Sequence, residues 1–107
     1  NILERIYQVI LERRDNPPEK SYVVSLLTQG TGKISEKVLE EAGELVEAAA
    51  GDDHGHTVYE AADLVFHVLV LLAHRGIRPE EVWSELGRRF GVSGIAEKEA
   101  RKKADAD

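Results

Sequence analysis

Residues 57–75, which read TVYEAADLVFHVLVLLAHR, decide the fold of this chain. Apolar side chains lie on all sides of this segment at helical spacing, and only Glu60, Asp63 and His67 are ionisable before its final His and Arg. A helix that is apolar all round is buried by neighbours on every side. The segment therefore predicts a central helix. Because the remaining helices are few and of modest length, we expect a second subunit to cover part of it.

The flanking sequence shows the same helical spacing, and its prolines and glycines mark the helix ends. Strand signals are scarce, so we predict an all-α fold, a bundle of about five helices in a single domain over residues 1–107. Thr57 and Glu60 fit a capping box, and residues 93–107 form a charged C-terminal helix or tail. The predicted limits are a first helix ending near Asn16-Pro17-Pro18, a second capped by Ser21 and closed by Gly30-Thr31-Gly32, a third over about 33–50, a fourth over 57–75, and a fifth beginning at Pro79 and ending at Gly91.

The composition narrows the classes of partner. Fourteen Lys and Arg against twenty Asp and Glu give a net charge of −6, which argues against a nucleic acid or an anionic membrane surface as the main partner. Cysteine is absent, which excludes disulfides and thiolate chemistry and suits a reducing cytoplasm. The longest apolar run, residues 68–73, is far shorter than the about 18–20 residues of a membrane span. We therefore expect a cytoplasmic protein with a small-molecule ligand.

The third predicted helix carries an acidic face. Its apolar stripe consists of Ile34, Val38, Ala42, Leu45 and Ala49. The opposite side carries Glu36, Glu40, Glu44 and Glu47 with Lys33 and Lys37, and Glu41 lies on the border between the two sides. Taken alone, this pattern is typical of a solvated helix face.

The fourth helix changes that interpretation. Asp63 lies too deep inside an apolar helix to be a cap, and a carboxylate in a dry interface costs several kcal/mol unless it is paired or binds a cation. Glu60 has an alternative explanation in the capping box. His67, one turn after Asp63, is by itself more typical of a core histidine, and otherwise contacts the substrate or supports the site.

The carboxylates form two matching pairs, Glu41-x-x-Glu44 and Glu60-x-x-Asp63, separated by fifteen residues. Antiparallel helices joined by a short turn would bring the two pairs face to face. Four hard oxygen ligands without a cysteine or a zinc-spaced histidine pair indicate Mg²⁺ or Mn²⁺. Because magnesium usually shares its coordination sphere with substrate phosphates, the pattern predicts cleavage of a phosphate ester or anhydride.

The remaining predicted roles follow from position relative to this cluster. Glu40 joins Glu41 and Glu44 in the predicted catalytic set, with Glu47 as a further outer ligand or base. The substrate-binding set is Lys33, Lys37, His67 and Lys98, and Arg101 lies near the last of these. The lysines are equally compatible with ordinary solvation of a helix face.

The same residues resemble a known family. The Glu-x-x-Glu and Glu-x-x-Asp pairs on consecutive helices are similar to the all-α nucleoside-triphosphate pyrophosphatases, and within these to the phosphoribosyl-ATP pyrophosphohydrolases of histidine biosynthesis. Four blocks in order carry the resemblance over nearly the whole chain: Ser21-Tyr22 with Leu26-Leu27, Lys33-Ile34 through Glu44, Glu60-Ala61-Ala62-Asp63-Leu64 with His67, and Ser93-Gly94-Ile95 with Glu97-Lys98. The resemblance implies hydrolysis of phosphoribosyl-ATP to phosphoribosyl-AMP and pyrophosphate, the second step of that pathway.

Two alternatives stay open at the level of sequence. A housecleaning pyrophosphatase acting on dUTP or modified nucleotides would share the metal site but have a different base pocket. A non-catalytic helical dimerisation module would carry a merely solubilising acidic face, with no Mg²⁺ binding and full tolerance of Asp63→Asn. In each case we expect a homodimer or a higher homo-oligomer.

Overall fold

The computed structural model describes residues 1–91, and every regular element in that range is an α-helix. The all-α prediction is therefore confirmed. By contacts the chain divides into two compact units, Asn1–Ile77 and Arg78–Asp107, the second described as far as Gly91. The predicted tail, with Ser93, Lys98 and Arg101, lies outside the described residues. The helices are α1 (Ile2–Asp15), α2 (Tyr22–Gln29), α3 (Thr31–Ala50), α4 (His54–His74) and α5 (Pro79–Phe90).

The helix ends follow the predicted signals at most positions. The Ser21 hydroxyl accepts a hydrogen bond from the Val24 amide at 3.2 Å and caps α2. Gly30 has a φ of +90° and serves both as the last cap of α2 and as the first cap of α3. A glycine suits this position because other residues avoid positive φ. One residue thus separates the two helices.

The start of α4 differs from the prediction. The helix begins at His54, and the Asp53 carboxylate caps it by accepting a hydrogen bond from the His56 amide at 3.1 Å. The Thr57 hydroxyl instead donates to the carbonyl oxygen of Ala48 at 3.2 Å, which ties α4 to the end of α3. The predicted capping box is wrong because Asp53 caps the helix one turn earlier. Glu60 consequently has no capping role, and its burial needs another explanation.

The far end of α4 is closed by a Schellman motif. Gly76 has a φ of +70°, and its amide donates to the Ala73 carbonyl at 3.1 Å while the Ile77 amide donates to the Leu72 carbonyl at 2.9 Å. The Ile77 carbonyl in turn accepts a hydrogen bond from the Tyr7 hydroxyl at 2.7 Å. The predicted stop at Gly76 is confirmed.

The core of the first unit combines side chains from α1, α2, α3 and α4. Residues 51–53 join α3 and α4, which pack against each other as an antiparallel pair. One part of the α4 surface therefore packs against α3, and other parts meet α1 and α2. The buried apolar cluster is Tyr7, Ile10, Val23, Leu26, Ile34, Leu69, Val70 and Ala73.

A third face of α4 is left uncovered by the helices described in residues 1–77. Val58, Val65 and Val68 are exposed there, and Leu39 and Val46 are about three-quarters exposed on α3. Among the described helices α4 also has the length and apolar composition to cross a membrane, a property it shares with core helices of water-soluble proteins. Within the described residues, α4 is thus not buried on every side as predicted.

Candidate metal centre

The antiparallel packing of α3 and α4 brings the two predicted carboxylate pairs together. One side-chain oxygen from each of Glu41, Glu44, Glu60 and Asp63 lies within 4.8 Å of the others. The spacing of three residues keeps each pair on one helix face, and the short turn sets the register between the helices. We call these four residues the carboxylate cluster.

Two members of the carboxylate cluster are buried. Glu41 is 4% exposed and Glu60 is 8% exposed, and among residues 1–91 the Oε2 atom of each has no hydrogen-bond partner. Glu41 was placed on the border of the acidic face of α3, yet it faces α4. Ala48, not Ala49, completes the buried side of the helix, so the predicted apolar stripe is wrong at that end. A buried, unpaired carboxylate oxygen costs free energy that a bound cation recovers.

The other carboxylate oxygen of each buried glutamate lies close to the nitrogen of a lysine or histidine side chain. Lys37 Nζ lies 3.5 Å from Glu41 Oε1 and 3.4 Å from Glu40 Oε1. His56 Nε2 lies 3.4 Å from Glu60 Oε1. Sequence reasoning missed His56 because it placed the start of α4 after that residue, although the spacing of four residues to Glu60 was visible. The bare Oε2 atoms are the ones left for a cation.

The surroundings of Asp63 also favour a cation. Burial raises the pKa of the Asp63 carboxyl, and the neighbouring carboxyl group of Glu41 raises it further, while His67 and Lys37 oppose the shift. The four oxygen donors fit Mg²⁺ or Mn²⁺ by their chemistry, because both are hard ions that prefer carboxylates.

His67 lies beneath the cluster and is 2% exposed. Its Nδ1 atom donates to the backbone carbonyl of Asp63 at 2.8 Å, and its Nε2 atom lies 2.8 Å from the hydroxyl of Tyr22. Both ring nitrogens therefore have partners within the chain. Tyr22 had no predicted role of its own, because nothing in the sequence pairs residues 45 positions apart.

The other predicted residues lie around the cluster at greater exposure. Glu40 and Glu47 are exposed on α3, outside the group of four. Lys33 is exposed as well and pairs with Glu36, its Nζ lying 3.8 Å from Oε2. Lys37 is the half-buried lysine that reaches the cluster.

Comparison with known proteins gives one consistent result. A family model described as phosphoribosyl-ATP pyrophosphohydrolase matches residues 3–90. The chain is 54% identical over 101 residues to a phosphoribosyl-ATP pyrophosphatase of Geotalea daltonii, covering 94% of this chain and 95% of that protein. It is 55% identical over 102 residues to the one of Trichlorobacter lovleyi, with 95% and 94% covered. Against that of Neisseria gonorrhoeae the identity is 48% over 101 residues, 94% of each chain.

Proposed function

Because the chain belongs to the phosphoribosyl-ATP pyrophosphohydrolase family, we propose that it hydrolyses phosphoribosyl-ATP to phosphoribosyl-AMP and pyrophosphate, the second step of histidine biosynthesis. The observation that carries this proposal is the convergence of four carboxylates from α3 and α4, two of them buried with a bare oxygen. Acidic residues that served only solubility would be exposed to water, whereas Glu41 and Glu60 are buried. The same observation disfavours a non-catalytic dimerisation module.

The carboxylate cluster would hold the divalent cation, with Mg²⁺ as the expected ion and Mn²⁺ as the alternative. When bound, such an ion activates water and neutralises charge on the departing pyrophosphate. The contribution of the chain is to fix four oxygen donors on two rigid helices and to exclude water from part of the site. Lys37 and His56 each contact one oxygen of a buried glutamate, which restrains the carboxylate orientation.

Three further groups complete the proposed active site. Glu40 lies outside the carboxylate cluster at an exposed position, where it can accept a proton from the attacking water. Lys37 carries a positive charge at the edge of the cluster; burial lowers its pKa, but Tyr22, Glu40 and Glu41 together raise the pKa by more. It therefore stays protonated and can bind phosphate oxygens, with Lys33 one turn earlier as a weaker contact. Glu41 and Glu44 act as catalytic residues by holding the cation.

The surroundings of the site extend this proposal. A second copy of the chain would cover the exposed apolar faces of α3 and α4, which gives at least a homodimer and completes the burial of α4. Residues 1–107 would act as one functional domain. In it, Lys98 of the C-terminal segment contributes to substrate binding, and the buried His67 supports the residues that bind the substrate. A cytoplasmic location fits the absence of cysteine.

A panel of nucleotides tests the function directly. Purified protein is incubated with phosphoribosyl-ATP, dUTP and ATP, each in Mg²⁺ and in EDTA, and released pyrophosphate is measured. We expect rapid pyrophosphate release from phosphoribosyl-ATP in Mg²⁺ and none in EDTA. Faster turnover of dUTP would favour the housecleaning pyrophosphatase, and no turnover of any nucleotide would favour the dimerisation module.

A further inference from the structure

Tyr22 combines an exposed ring with a hydroxyl that is bound inside the protein. The residue is 51% exposed at the start of α2, yet its hydroxyl reaches the buried His67 on α4. Only the imidazole of His67 separates this hydroxyl from Asp63, whose Oδ1 lies 3.5 Å from Nδ1 of the same ring. The ring of Tyr22 therefore stands at the rim of the carboxylate cluster.

The Tyr22 hydroxyl belongs to a hydrogen-bonded chain that runs through His67 to the backbone of Asp63. The Asp63 carbonyl can only accept, so Nδ1 of His67 must carry a hydrogen. Nε2 of the same ring lies 2.8 Å from the Tyr22 hydroxyl, so this hydroxyl is already engaged inside the protein. Burial raises the pKa of the Tyr22 hydroxyl, so the residue stays a phenol.

The ring is also held in a fixed orientation. It stacks on Phe66 with ring centroids 6.4 Å apart and meets the His67 ring edge-on at 5.7 Å. What remains free for a ligand is an exposed part of the aromatic ring. The ring face itself offers a phosphate neither a positive charge nor a hydrogen-bond donor.

We propose that Tyr22 contacts the purine base of the nucleotide substrate by stacking, and that His67 is the positioning residue that holds the ring in place. The inference rests on the proposed function, since it needs a nucleotide whose phosphates occupy the neighbouring carboxylate cluster. A flat base is the part of such a substrate that matches an immobilised ring at this rim. Base–aromatic stacking changes affinity by roughly fivefold to a hundredfold when the ring is removed. Tyr22 would thus contribute to the choice of nucleotide over other polyphosphates.

Equilibrium binding separates the base contact from the phosphate contacts. In Mg²⁺, calorimetry measures the Kd of ATP and of inorganic tripolyphosphate, which has no base, for the parent, Tyr22→Phe and Tyr22→Leu. We expect Tyr22→Leu to raise the Kd of ATP by about tenfold or more and to leave the Kd of tripolyphosphate within about twofold. Tyr22→Phe keeps the ring and should stay near the parent. Tyr59→Leu, which removes another exposed tyrosine, is the matched control and should change neither Kd.

His67 is tested by the same ratio of affinities. His67→Gln should weaken ATP binding relative to tripolyphosphate, and adding Tyr22→Leu to it should weaken ATP no further, because both changes act on one contact. A merely structural role of His67 would lower the melting temperature and weaken both ligands alike.

Several results would overturn the inference. Equal losses for ATP and tripolyphosphate in Tyr22→Leu, or no loss for either, would remove the base contact, and a change in oligomeric state would assign the ring to a subunit interface. A Tyr22→Phe variant as weak as Tyr22→Leu would transfer the role to the hydroxyl. A failure of the proposed function would give a different result. The parent would then bind ATP more tightly than Tyr22→Leu does but would not release pyrophosphate from phosphoribosyl-ATP.

Discussion

Replacement of Glu41 by Gln should separate the stability of the site from its function. Glu41 is the most buried member of the carboxylate cluster, and its Oε2 atom has no hydrogen-bond partner. Glutamine keeps the shape, removes one buried negative charge and can donate a hydrogen bond to Asp63. A hydrogen bond to a charged group contributes about 1.5–3 kcal/mol, from which up to about 1 kcal/mol for the lost Lys37 pair is subtracted. In EDTA we therefore expect Glu41→Gln to be more stable than the parent by about 0.5–2 kcal/mol.

Mg²⁺ should stabilise the parent much more than it stabilises Glu41→Gln. At a Mg²⁺ concentration of about one hundred times Kd, the parent should gain about 2.7 kcal/mol, because the ion binds only the folded state. Glu41→Gln lacks one anionic ligand and should gain much less. The measurement is a melting curve for each protein in EDTA and in Mg²⁺, where 1 kcal/mol corresponds to a shift of about 4–8 °C for a domain of this size.

A variant on the solvated part of the same helix provides the control. Glu36 is exposed and pairs only at the surface with Lys33. Glu36→Gln should change stability by less than about 0.5 kcal/mol and keep the full Mg²⁺ response of the parent. The reasoning is refuted if Glu41→Gln is clearly less stable than the parent in EDTA, or if both proteins gain equally from Mg²⁺.

Three further expectations follow from the same structure. The folded protein raises the pKa of Asp63 above its unfolded value, near 3.8. The stability that Asp63 contributes is therefore present below that unfolded pKa and is lost as the pH rises through the folded pKa. Urea unfolding in EDTA should show this loss of stability in the parent and not in Asp63→Asn. Gly76→Ala should lower the free energy of unfolding by about 1–2 kcal/mol, since its Cβ meets no neighbour within 4 Å and the cost comes from the φ of +70° alone; a denaturation midpoint unchanged from the parent would contradict this. Val46→Lys should shift the protein toward monomer in sedimentation at micromolar concentration, because it puts a charge into the proposed subunit interface; an unchanged dimer would place the interface elsewhere.

The parts of the fold that depend on local signals were predictable from the sequence. Proline at positions 17 and 18 and glycine at positions 30 and 76 stop helices for reasons of backbone geometry, and the structure ends α1, α2 and α4 at those places. The first turn of α4 was missed because its sequence, His-Gly-His, has no apolar periodicity from which to recognise a helix. The role of Asp53 as the N-cap of α4 is recognised only from the backbone at the start of the helix.

The candidate site shows the same division. The sequence predicted that the two carboxylate pairs lie opposite each other. A short turn between antiparallel helices restricts how far one helix can shift along the other, so the residues that face each other can be counted from the turn. The burial of Glu41 could not be predicted, since a border position on a helical wheel turns inward or outward according to the crossing of α3 and α4. The contact between Tyr22 and His67 joins two helices through the tertiary fold, and no spacing rule in one sequence indicates it.

We propose that the carboxylate cluster makes this protein a metal-dependent pyrophosphohydrolase. The most direct test is the initial rate of pyrophosphate release from phosphoribosyl-ATP at saturating Mg²⁺, for the parent and for Asp63→Asn, with folding of both confirmed by their melting curves. We expect turnover by the parent and a rate at least about a hundredfold lower for the variant, because the amide lacks the negative charge that would bind the ion. Equal rates for the two folded proteins would contradict it.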